Sequence, residues 1–91
     1  MKDAKAGAYS EVADSQLDEL EAGTDMALYN AVLVNCDFIF RKPGQAQANS
    51  TAIKSDEGIR LRLPVPGYPP YKIFWSPDGP TIEAIFPYPT R

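Results

Sequence analysis

The chain predicts an α+β fold in which a short N-terminal strand and a helical hairpin precede, and pack on, an antiparallel β-sheet. Three observations carry this. Leu28, Val32, Cys36, Ile39 and Phe40 recur at helical spacing. Ile59, Leu61, Leu63 and Val65 alternate with Arg60 and Arg62 in the manner of a half-buried strand. Two further β-rich runs, Tyr71 to Ser76 and Thr81 to Tyr88, follow it and are set off by proline and glycine.

Taken in order, residues 1–8 carry no apolar pattern and are expected to be flexible, and Tyr9 to Val12 form a short strand. Asp14 is the N-cap candidate of a first helix. Acids fill its opening turn, Leu17 and Leu20 give it an apolar side, and Gly23 stops it. Thr24 or Asp25 caps the second helix. Leu33 widens its stripe, Asn30, Asp37 and Arg41 point away from the stripe's centre, and Pro43-Gly44 ends it. Gln45 to Ser50 is polar and reads as a loop.

Thr51 to Lys54 is a strand leading through the turn Ser55-Asp56-Glu57-Gly58 into the alternating run. There Ile59, Leu61, Leu63 and Val65 face the core, and Arg60 and Arg62 face solvent or a ligand. Pro66-Gly67-Tyr68-Pro69-Pro70 interrupts pairing, because proline lacks the amide hydrogen a ladder needs. Ser76-Pro77-Asp78-Gly79 is a tight turn, and Pro80 displaces the following strand through a bulge or delayed pairing. Trp75 then pairs with either Thr81 or Ile82.

A chain of 91 residues suits one domain spanning 1–91. With 44% hydrophobic and 23% charged residues it has enough apolar material for a core. No apolar run approaches the roughly 18 residues of a membrane span, and the N-terminus lacks the apolar stretch of a signal peptide. A cytoplasmic protein with no membrane partner is expected. The sole cysteine, Cys36, sits in the helical stripe as a small core hydrophobe. Histidine is absent, which removes Ser-His and Cys-His pairs and histidine-ligated metals. No phosphate loop, dinucleotide fingerprint or zinc spacing occurs, so neither metal nor cofactor is expected.

Net charge is −3 but unevenly spread. Before Met26 there are seven acids against two bases; from Met26 onward, seven bases against five acids. The acids from Glu11 to Glu21 read as the solubilising face of a helix. Arg60, Arg62, Lys72 and Lys54 gather on one sheet face as a phosphate-binding patch, or else form an ordinary solvated sheet surface. Tyr68, Tyr71, Phe74, Trp75, Phe86 and Tyr88 offer surfaces for stacked bases or, more often in so short a chain, core packing. Tyr71, Ile73 and Trp75 share the core face of their strand, with Lys72 and Phe74 opposite.

The order of these elements resembles the RelE/ParE superfamily of bacterial toxins from type II toxin–antitoxin systems. The matching stretches are Tyr9-Ser10-Glu11-Val12, Leu17 and Leu20, the helix ending Ile39-Phe40-Arg41-Lys42-Pro43-Gly44, and the strands Ile59 to Leu63, Tyr71 to Trp75 and Ile82 to Phe86. The resemblance covers nearly the whole chain and rests on size and polarity. RelE-like members cut messenger RNA on the ribosome. It implies that Arg60 and Arg62, with Lys54, neutralise the scissile phosphate and that Tyr88 orients or deprotonates the attacking ribose hydroxyl. Lys54, Lys72 and Arg91 would bind RNA. ParE-like members instead block DNA gyrase without being enzymes, and a non-catalytic binding module on the same scaffold is a third possibility. The implied partners are a cognate antitoxin and either the ribosome with its mRNA or gyrase.

Overall fold

The structure, a computed structural model, describes residues 8–56 and 58–86. Its elements are β1 (Ala8–Tyr9), α1 (Glu11–Ala22), α2 (Met26–Arg41), α3 (Pro43–Ala48), β2 (Thr51–Ser55), β3 (Gly58–Pro64), β4 (Lys72–Ser76) and β5 (Thr81–Phe86). The expected flexibility of residues 1–8 falls, apart from Ala8 in β1, outside the described residues, as do Tyr88 and Arg91.

The first helix starts earlier than expected because Ser10, not Asp14, is its N-cap. Its hydroxyl accepts from the Ala13 N–H at 3.0 Å, satisfying one of the amides a helix start leaves unpaired. The expected strand Tyr9 to Val12 is thereby cut to Ala8–Tyr9. Gly23 closes α1, and the Asp25 carboxylate caps α2 by accepting from the Leu28 N–H at 3.0 Å. Leu28, Val32, Cys36 and Ile39 are buried and Phe40 partly so, as their spacing predicts. The polar stretch after Pro43 is a helix rather than the expected loop. Pro43 occupies the first turn, where a missing N–H costs nothing, and alanine and glutamine favour the helix.

The strands form one sheet in the order β1-β5-β4-β3-β2. From β2 to β5 it is an antiparallel meander, but β1 pairs parallel to β5, so the sheet is mixed rather than purely antiparallel. The helices carry the chain from the β1 edge to the β2 edge, and the meander returns strand by strand until β5 meets β1. Pairing resumes at once after the turn, Ser76 with Thr81 and Trp75 with Ile82, so Pro80 does not delay it. The irregularity lies further along. Phe74 pairs with Ala84, leaving Glu83 as an extra residue, a β-bulge. In a regular strand Ile82 and Ile85 would face opposite ways; the bulge turns both into the core, where each is almost fully buried.

Leu61, Leu63, Val65, Ile73, Trp75, Ile82 and Ile85 close against Ala13, Leu17, Val32, Cys36, Ile39 and Ala46 from the helices. Each fully buried aliphatic chain contributes about 1.5–3 kcal/mol. Ile59, expected in this set, is 48% exposed at the start of β3. Trp75 is fully buried, and its indole N–H donates to the Ser50 hydroxyl at 3.1 Å, which in turn donates to the Ala46 carbonyl at 2.7 Å. This chain of donors ties α3 to the sheet.

Candidate functional site

The helices cover one face of the sheet and leave the other open, so alternation along β3 and β4 decides which side chains reach the open face. Cross-strand partners in an antiparallel pair share a face, with Cβ atoms about 4.5–5.5 Å apart. Thr51, Arg62, Phe74 and Ala84 therefore form one row across four strands. Pro64, Lys72 and Phe86 form a second, and Ile53 with Arg60 a third. Arg60, Arg62 and Lys72 thus stand on one face, as expected. Lys54 does not join them. It pairs with Ile59, which puts it on the face that carries Leu61 and Leu63.

The three cations differ in their surroundings. Arg60 reaches the Ile59 carbonyl at 3.4 Å, and the Lys72 ammonium donates to the Pro70 carbonyl at 3.2 Å. Arg62 is half-buried in the middle of the sheet, and it makes no hydrogen bond or ion pair among the described residues. A guanidinium presents five donors in a fixed fork whose geometry matches phosphate or carboxylate. At the bulge the Ser76 hydroxyl donates to the Glu83 carboxylate at 3.1 Å.

Aromatic side chains divide between the two faces. Trp75 is in the core, and Tyr68 and Tyr71 pack against the core's margin. Phe74 and Phe86 lie on the open face in edge-to-face contact, with ring centroids 5.1 Å apart and planes at 88°. By register each ring stands beside a cation, Phe74 beside Arg62 and Phe86 beside Lys72. The face is therefore cationic and aromatic together. Lys72 and Phe74 lie opposite Ile73 and Trp75, as alternation predicts; the contact between Phe74 and Phe86 was not foreseen in the sequence.

Tyr9 lies on the helical side, with its ring in edge contact with Phe40 at 5.4 Å. Burial, assisted by the neighbouring Cys36 and by Asp37 and Asp14, pushes its phenol well above the ordinary tyrosine range. An open depression of about 290 Å³ on the outer side of α2 is lined by Val34, Asp37, Phe38, Arg41 and Lys42. It contains none of the sequence-predicted residues. Tyr88 and Arg91 lie beyond the described residues, two and five positions after the end of β5. No described helix is long and apolar enough to cross a membrane.

No protein-family model matches the chain, and neither a curated protein nor a solved structure matches it.

Proposed function

We propose that the protein is a RelE/ParE-like toxin that works through its open sheet face, with ribosome-dependent cleavage of messenger RNA as its activity. The observation that carries this reading is the half-buried Arg62, flanked on the same face by Arg60 and Lys72. The order of a short strand, two helices and an antiparallel meander supports the same scaffold.

Cleavage needs little from the protein beyond electrostatics. The ribose 2′ oxygen forms a bond to the adjacent phosphorus while the bond to the 5′ oxygen breaks. One proton leaves the 2′ hydroxyl and one reaches the departing 5′ oxygen. Arg60 and Arg62 neutralise the extra negative charge of the crowded intermediate without having to titrate, and Lys72 holds a neighbouring phosphate. Tyr88 takes the role of orienting the 2′ hydroxyl or receiving its proton. Lys54 has no part in this, since it lies on the other face.

Expression in bacteria with transcript mapping tests the reading. Growth arrest with cut transcripts is expected. Arg62→Ala should lower cleavage by about a hundredfold or more, the usual effect of removing one transition-state donor. Lys54→Ala should leave cleavage nearly unchanged. Intact transcripts together with gyrase-dependent DNA damage would replace the cleavage reading by gyrase inhibition. Harmless expression with neither effect would leave a binding module, served by an antitoxin or another protein partner.

A further inference from the structure

We infer that Phe86, braced edge-to-face by Phe74, is a stacking platform for one unpaired nucleobase, and that Arg62 and Lys72 hold the phosphates flanking that base. The ligand class is single-stranded RNA. This rests on the reading of the open face as the RNA-contacting surface and goes beyond it by assigning a base-recognition element.

Exposure is the first argument. The large hydrophobic side chains left exposed among the described residues are Val12, Met26, Val34, Ile59 and Phe86. The first three belong to the helices and Ile59 to the helix-bearing face by register. Phe86, 40% exposed, is the one on the cationic face and the one with a π surface. Placement is the second. Phe86 is the direct cross-strand neighbour of Lys72, and Phe74 of Arg62, so positive charge borders the aromatic pair on two adjoining strands. Bases stack on aromatic rings whatever their sequence, whereas phosphates seek the cations. A duplex hides the faces of its bases and satisfies only the second demand. Rigidity is the third: the perpendicular contact with Phe74 limits the rotamers of Phe86, so little side-chain freedom remains to be lost on binding.

Fluorescence anisotropy of short labelled oligonucleotides separates the two roles. Wild-type protein is titrated with a six-nucleotide RNA, its abasic counterpart, the matching single-stranded DNA and a duplex RNA of the same length. The intact single strand should bind about tenfold more tightly than the abasic one. Phe86→Leu, which stays apolar but loses the ring, should abolish that preference, while Arg62→Ala should weaken both strands alike. Circular dichroism confirms that each variant folds, and Phe86→Tyr should restore the preference. Comparable binding of intact RNA and DNA strands fits stacking with phosphate contacts. Equal binding of intact and abasic strands, or a duplex bound as tightly as the single strand, overturns the platform and leaves the anion-binding face standing. If no strand binds even at low salt, the reading of the face itself falls.

Discussion

At the scale of single residues, small matters of position decide which side chains can act. Lys54 illustrates this. Its charge suggested membership of the basic patch, yet Ser55 pairs with Gly58 and therefore Lys54 with Ile59. Gly58 adopts φ of +115°, a region L side chains rarely enter and glycine enters readily. Reading Ser55 to Gly58 as a turn already contained the answer, because counting outward from it assigns Lys54 the parity of Leu61. Tyr9 offers a test of the opposite side of the molecule. Its folded-state pKa is raised above the unfolded value of about 10. The folded chain therefore holds the phenolic proton more tightly than the unfolded chain, and the associated stability is complete below about pH 10 and declines as pH rises past it. Tyr9→Phe cannot ionise and should lose less stability between pH 8 and pH 11 than the wild type. Urea unfolding at the two values measures this; identical losses in both proteins would mean that Tyr9 is already ionised when folded or is not buried in solution.

At the scale of elements, the docking of α1 on β5 is what shapes the sheet. β1 is two residues long and covers only the start of β5. The rest of that edge is bonded by the backbone and hydroxyl of the cap and by a side chain of the helix. The Ser10 N–H donates to the Ile82 carbonyl at 2.9 Å, its hydroxyl donates to the Glu83 carbonyl, and the buried Gln16 accepts from the Ile85 N–H at 2.6 Å. An unprotected edge would expose backbone donors and acceptors to pairing with another chain, so these bonds also guard against association. Gln16→Ala leaves the buried Ile85 N–H without its partner and should cost about 1–3 kcal/mol. Its denaturation midpoint should fall with an unchanged urea dependence, and hydrogen exchange at Ile85 should accelerate; normal protection there would show that another group satisfies the amide. The major elements were legible in advance because apolar spacing marks α2 and β3 strongly. Gln16 was not, although it falls in the stripe Ala13, Gln16, Leu17, Leu20 and so faced the core. The bulge at Glu83 had the complementary signal, since Ile82 and Ile85 lie three apart in a strand that must bury both. α3 was missed because Pro43-Gly44 marks the end of one helix and, equally, proline favours the start of the next.

For the whole molecule, the decisive question is how a chain of net charge −3 presents a surface to RNA at all. The linear imbalance of charge becomes a division between layers. Glu11, Asp14, Asp18, Glu19 and Glu21 all belong to α1, whereas Arg60, Arg62 and Lys72 occupy the open face of the sheet behind which the helices pack. The thinnest dimension of the molecule is 24 Å, and charges on opposite outer surfaces are separated by a distance of that order. At 0.15 M salt this is about three Debye lengths, but at 0.01 M it is less than one. The acids on α1 should therefore repel an RNA strand appreciably only in dilute buffer. Replacing two of them, Glu19→Gln with Glu21→Gln, should raise RNA affinity by less than about twofold at 0.15 M salt and by several-fold at 0.01 M. Arg62→Ala acts by contact instead, so it should weaken binding at both salt concentrations and flatten the salt dependence by about 0.7 in log–log slope, the share of one released counterion on a single strand. Anisotropy titrations across that salt range distinguish the two kinds of charge. A large gain from the α1 pair at 0.15 M would mean that RNA approaches the helical side, and the open face would lose its claim to be the working surface.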